Sequence, residues 1–144
     1  MFTRILLAFD GSAPCATALR HSADLARLAG AELHLLGIVV TSGYMATAEG
    51  VGGVDVWGME RAKLQPALDA AIAEIAAQGI TAIATVREGE PAAEINAYAC
   101  TIKADLIVLG HTRKGMFARW LEGSVGTRLL AKLPCSLLIA TDPA

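Results

Sequence analysis

Hydrophobic positions along this chain fall into short unbroken runs separated by stretches in which they recur at every third or fourth place. Phe2 to Phe9 is an apolar run broken only by Thr3 and Arg4 and closed by Asp10-Gly11-Ser12, which reads as a strand buried on both faces. Ser12 suits the cap of a following helix whose first turn accommodates Pro14, with Cys15, Ala18, Leu19, Ser22, Ala26 and Ala29 on one face and Gly30 as its stop. Leu33 to Val40 is a second apolar strand with His34 as its one strongly polar residue, and Thr41 to Asp55 is a loop rich in glycine and small residues. Leu64, Leu68, Ala71, Ile72 and Ile75 mark a second helix before Gly79. Pro66 lies within that stripe and lacks a backbone donor, which predicts either a kink or a helix whose regular part begins near Pro66. Ile80 to Val86 reads as a third strand, Pro91 opens a third helix ending near Lys103, and Asp105 to Leu109 is a fourth strand. After the loop Gly110 to Gly123, Ser124 caps a fourth helix ending near Lys132, Pro134 breaks the chain, and Ser136 to Ala140 is a fifth strand.

Strand and helix therefore alternate through five strands and four crossovers. Strands buried on both faces and joined by right-handed crossovers imply a doubly wound α/β fold, an open five-stranded parallel sheet with helices on both faces. Ligands of such sheets bind at the carboxyl ends of the strands, near the point where strand order reverses. Here that directs attention to Asp10, the end of the second strand, and Gly110.

Composition narrows the function classes. The 144 residues are 54% hydrophobic and 18% charged, which suits one domain spanning 1–144 and excludes a disordered chain. Twelve Lys and Arg against 14 Asp and Glu leave a net charge of -2, with no bulk basicity for nucleic acid. Mean hydropathy is +0.49, yet charged residues and glycines interrupt every apolar stretch well short of the ~18 residues of a membrane span. The start of the chain has no signal-peptide pattern. Cys15, Cys100 and Cys135 are odd in number and widely spaced, without metal-ligand clustering, and read as reduced core residues of a cytoplasmic protein. Charge is uneven: Lys103, Arg113, Lys114, Arg119, Arg128 and Lys132 outnumber Asp105, Glu122 and Asp142 in the C-terminal part. That end is where an anion is expected.

The segment from Gly110 to Gly126 joins a buried strand to a helix start. Gly110 lets the backbone leave the strand without a side chain in the way, and Gly123-Ser124 places free amides and a hydroxyl at the positive end of a helix dipole, an arrangement that suits phosphate. A Gly-Ser pair is equally a plain helix cap. The loop resembles that of the universal stress protein family, whose nucleotide-binding members carry G-x2-G-x9-G-[ST]. The resemblance extends over nearly the whole chain, through Ile5-Leu6-Leu7-Ala8-Phe9-Asp10-Gly11-Ser12, the segment Val86 to Ile95, Ala104 to Gly110, and Leu133 to Ile139. It implies a Rossmann-like, adenine nucleotide alpha hydrolase-like fold and an ATP-binding stress-response module, with any Mg2+ or Mn2+ arriving on the nucleotide.

By that resemblance Gly110, Gly123 and Ser124 occupy the first glycine, the third glycine and the hydroxyl position, with Val125 and Gly126 adding amides. The second glycine is replaced by Arg113. A glycine there permits positive φ and close approach to phosphate, so Arg113 either swings its guanidinium onto the phosphates or fills their place. Asp10 read alone is a turn former; in the family the matching aspartate contacts the nucleoside, while Ala8 and the backbone of Ile38, Leu109 and Gly110 surround base and sugar. The resemblance also implies a homodimer through the fifth-strand edge, Ser136 to Ala140, where Leu137-Leu138-Ile139 would otherwise be an exposed apolar edge.

No catalytic residue stands out. His111 has no identifiable nucleophile or orienting carboxylate, His34 reads as a half-exposed or hydrogen-bonded structural residue, and His21 as solvent-facing. Trp120 and Phe117 read as anchors of the loop or shields over a nucleotide; Tyr44, Met45 and Trp57 decorate the long loop. The first turn lacks G-x-G-x-x-G, no Walker segment exists, and Val86-Arg87-Glu88 stands where a phosphoryl-accepting aspartate would be. Two functions remain: an ATP-binding module that is at most a slow ATPase, and a dimer of the same family that has lost nucleotide and serves as a structural or interaction domain.

Overall fold

The computed structural model describes residues 2–9, 15–40, 56–111 and 130–141. Strand β1 (Arg4–Phe9) leads to helix α1 (Cys15–Ala29), β2 (Glu32–Val40), α2 (Val56–Ala77), β3 (Ala82–Gly89), α3 (Pro91–Ile102), β4 (Leu106–His111) and β5 (Ser136–Thr141). The five strands form one parallel sheet in the order β3-β2-β1-β4-β5. This is the doubly wound sheet the hydrophobic runs predict.

Burial follows strand position. In β1, Ile5, Leu6, Leu7 and Ala8 are fully buried, as are Ile107, Val108 and Leu109 in β4, and Leu33 through Val39 of β2 are all buried. Adjacent residues of a strand point to opposite faces, so such runs require cover on both. Gly37 and His34 show what supplies it. A Cβ built on Gly37 would lie 2.8 Å from Leu68 of α2, whereas His34 packs edge-on to Tyr98 of α3. The two positions differ by an odd number of residues, so α2 and α3 cover opposite faces of β2. The outer strands are different: β3 and β5 are mostly half-buried or exposed, with Ile83 and Ile139 partly open to solvent.

The helix ends were largely legible. Gly30 and Gly79 adopt left-handed φ of 66° and 79°, and the amides beyond them reach back to Ala26 and Ile75, closing α1 and α2. Lys103 does the same after α3 at φ 56°, although it has a Cβ. Pro91 opens α3 as expected, and Glu90 caps it by accepting from the amides of Ala92 and Ala93. Helix α2 runs through Pro66 from Val56, so the later start near Pro66 is set aside. β4 begins at Leu106 and continues through Gly110 to His111, because β5 pairs with both residues. Of the expected fourth helix, Leu130 and Ala131 are helical, Lys132 is in the turn that follows, and 124–129 lie outside the described residues, as do the loops Thr41 to Asp55 and 112–123.

Two expectations about polar side chains are corrected. Cys100 is exposed rather than a core residue, because α3 turns Ile95, Tyr98 and Ala99 inward and the next position outward. Cys135 is half-buried, and the Cys15 side chain lies outside the described residues. His34 is neither half-exposed nor hydrogen-bonded. It is 7% exposed and neither ring nitrogen has a hydrogen-bond partner among the described residues. His21 is exposed, as predicted.

Candidate site at the carboxyl edge of the sheet

The strand order reverses at β1, from which the chain builds outward to β2 and β3 on one side and to β4 and β5 on the other. Its neighbours run past it. β1 pairs with β2 up to Phe9 opposite Gly37, after which Ile38, Val39 and Val40 pair only with Arg87, Glu88 and Gly89 of β3 among the described residues. On the other side the last pair is Ala8 with Leu109, after which Gly110 and His111 pair only with β5. Among the described residues the ladder is therefore notched beyond the end of β1, between the main chains of Ile38 and Gly110. Among the described residues Ile38 and Gly110 have no register partner in β1, and main-chain groups at such an edge require partners. A ligand presenting hydrogen-bonding edges can supply them.

Four of the predicted site residues surround this notch: Ala8, Ile38, Leu109 and Gly110. Ala8 and Leu109 are fully buried and Ile38 is 5% exposed, so their side chains pack into the core and their backbones are what a ligand would meet. Asp10, Arg113, Gly123, Ser124, Val125 and Gly126 lie outside the described residues, so the charged half of the predicted site has no geometry here. The His111 side chain, Phe117 and Trp120 lie outside them too.

What holds the notch in shape sits at the opposite end of the same strands. The carboxylate of Asp105 accepts from the amides of Thr3 (2.7 Å) and Arg4 (3.0 Å) and from the Thr3 hydroxyl (2.9 Å). Its own amide donates to the Arg4 carbonyl at 3.0 Å. This clasp fixes β1 against β4, and with it the register that sets Ala8 beside Leu109. Burial pushes the Asp105 carboxyl up, but the donors of Thr3 and Arg4 outweigh it and hold it below its ordinary value. Sequence reasoning placed Asp105 at the head of a strand and missed the clasp; its partners are a hundred residues away in the chain.

The remaining chemistry among the described residues is sparse. Burial, with the nearby Asp105 and Cys100, pushes the Cys135 thiol up, against a thiolate nucleophile. Among the described residues no group of three or more His, Cys, Asp or Glu is placed to hold a metal ion, and no helix is long and apolar enough to cross a membrane. A cleft of about 350 Å³ lined by Glu90, Ala92, Ala93, Asn96, Ala131 and Lys132 contains none of the predicted site residues. Its Glu90 carboxylate is already engaged as the cap of α3.

Comparison with known proteins agrees with this architecture. Residues 1–141 match the model of the universal stress protein family. A universal stress protein of Synechocystis is 32% identical over 141 residues, covering 96% of this chain and 85% of that protein. Among solved structures, a universal stress protein from Lactobacillus plantarum superposes with a TM-score of 0.79 at 25% identity, covering 96% of this chain and 97% of that one. Two others share the fold: an Archaeoglobus fulgidus protein in complex with dAMP (TM-score 0.65, 23% identity, 96% and 97% covered) and a universal stress protein in complex with cAMP (TM-score 0.67, 21% identity, 96% of both chains covered).

Proposed function

This chain belongs to the universal stress protein family, and from that premise we propose that it is an adenine-nucleotide-binding regulatory module acting as a cytoplasmic homodimer, with ATP as its ligand. The observation that carries the reading is the notch beyond β1. It lies among the apolar residues Ala8, Ile38 and Leu109, and the main chains of Ile38 and Gly110 at its two sides suit the hydrogen-bonding edges of a base. Relatives of this fold that hold dAMP and cAMP share with ATP the adenine nucleoside and at least one phosphate.

Each predicted residue then has a task. Asp10 follows the last residue of β1 and would accept from the sugar hydroxyls. Gly123, Ser124, Val125 and Gly126 would offer amides and a hydroxyl to the phosphates at a helix start, and Arg113 would add a guanidinium. A divalent ion carried by the nucleotide would offset phosphate charge. The sequence offers no evident base to accompany these groups, so hydrolysis would be slow at most and occupancy, rather than turnover, would be the signal. The dimer would form through β5, one of the two edge strands, where Leu137 and Leu138 are half-buried and Ile139 is 40% exposed.

Arg113 in place of the second glycine favours one alternative, an interaction dimer without nucleotide. Chromatography of nucleotide released on denaturing the purified protein, followed by calorimetric titration with ATP, separates the two. Adenine nucleotide in the released fraction, or heat with 1:1 stoichiometry per chain, supports binding. Neither signal, with ATP raised to concentrations on the order of millimolar, leaves the interaction dimer.

A further inference from the structure

The most anomalous group in the described structure lies away from the notch. His34 is buried on the face of β2 that α3 covers, flanked in register by Leu6 of β1 and Ile83 of β3. Its ring meets the Tyr98 ring with centroids 6.4 Å apart and planes at 68°. Neither nitrogen has a hydrogen-bond partner among the described residues. A neutral imidazole in that position forfeits hydrogen bonds to water; a charged one would forfeit far more.

The charges that face it leave no ready partner for an imidazolium. On β2, the Glu32 carboxylate is 4.0 Å from Nε2, beyond hydrogen-bond reach, and already accepts from Nε of Arg4 on β1 at 2.7 Å. From β3, the Arg87 guanidinium lies over the same Tyr98 ring, 5.1 Å from its centroid, so a protonated His34 would be a second cation around one ring. On α3, Glu94 is paired with Arg87 at 3.9 Å, and the Tyr98 hydroxyl is committed to Thr85 at 3.0 Å.

We propose that His34 makes the seating of α3 on the sheet acid-sensitive: when the ring takes a second proton it leaves its pocket beside Tyr98, and α3 loosens from β2 and β3. The inference is independent of whether a nucleotide binds. Burial, opposed by Glu32 and reinforced by Arg4, holds the imidazole below its ordinary 6.5. The sign follows. Above pH 6.5 the ring is neutral whether α3 is seated or open. As pH falls below 6.5 the open form takes the proton first, so opening becomes more favourable by up to about tenfold per pH unit, until pH passes the lowered value of the seated form.

Hydrogen exchange read peptide by peptide between about pH 7.5 and 5, corrected for the intrinsic pH dependence of exchange, tests this. Wild-type protein, His34→Phe and His34→Leu are compared, with His21→Asn as the control for an exposed histidine. The expected result is a loss of protection in α3 below pH 6.5 in wild type and His21→Asn, with protection in α2, on the other face, unchanged, and no such loss in whichever His34 variants fold. A wild-type α3 whose protection is flat across this range overturns the proposal. So does a His34 variant that loses α3 protection in parallel with wild type.

Discussion

Removing the Asp105 carboxylate tests whether the clasp between β1 and β4 holds the central strands together. Asp105→Ala leaves the amides of Thr3 and Arg4 and the Thr3 hydroxyl without their acceptor. A hydrogen bond to a charged acceptor contributes about 1.5–3 kcal/mol and an ordinary one about 0.5–1.5 kcal/mol. Thr3 is exposed and water replaces much of its loss, whereas the bond to Arg4 is partly buried. The expected cost is about 2 kcal/mol, which for a chain of 144 residues lowers the melting temperature by about 6 °C. Asp105→Asn keeps a neutral acceptor and should lose roughly half as much. Acid adds a signature. Because the folded carboxyl is held below its ordinary 3.8, its contribution is fully present above that value and fades as pH falls through the lowered one. The gap between wild type and Asp105→Asn should therefore narrow in thermal melts run below pH 3.8. If Asp105→Ala melts within about 1 °C of wild type at neutral pH, the clasp contributes little and the argument fails.

Other outcomes are equally specific. Ser124→Ala should weaken ATP binding by about tenfold to a hundredfold, the worth of one hydrogen bond to a charged oxygen, with the circular dichroism of the folded chain retained; unchanged affinity would refute the phosphate assignment. Ile139→Lys puts a charge on the exposed edge of β5 and should raise the dimer dissociation constant at least about tenfold in sedimentation, while a wild-type monomer would discard the β5 interface outright. Lys103→Gly relieves a left-handed conformation held by a residue with a Cβ and should raise the melting temperature by about 2–3 °C, since the Lys103 side chain is exposed; a fall would contradict this account of the cap. Gly37→Val drives a branched side chain against Leu64 and Leu68 and should cost about 1–3 kcal/mol in urea unfolding, so a neutral result would mean that α2 yields more readily than its packing implies.

Much of the fold was readable because the signals are local. An apolar run such as Leu33 to Val39 can be satisfied only by cover on both faces, and Gly30 and Gly79 stop helices wherever the chain folds. The ends of such runs directed attention to Asp10, the end of β2 and Gly110, whereas Ala8, Ile38 and Leu109 entered the candidate site only through the family resemblance. The Glu90 cap was missed although Pro91 at the first helical position pointed to it, because glutamate is not among the usual capping residues.

The sequence by itself determined which segments are strands, which are helices, and which family they compose. Which strands lie at the centre, how far β2 and β4 outrun β1, and that Asp105 clasps Thr3 and Arg4 from across the chain were decided only by the assembled sheet. So was the burial of His34, which on a strand nearer solvent would have been an ordinary polar residue. Periodicity encodes how much of a segment must be covered, but not by what: the partner of each strand is fixed by the direction of its crossovers and by contacts between residues far apart in the chain.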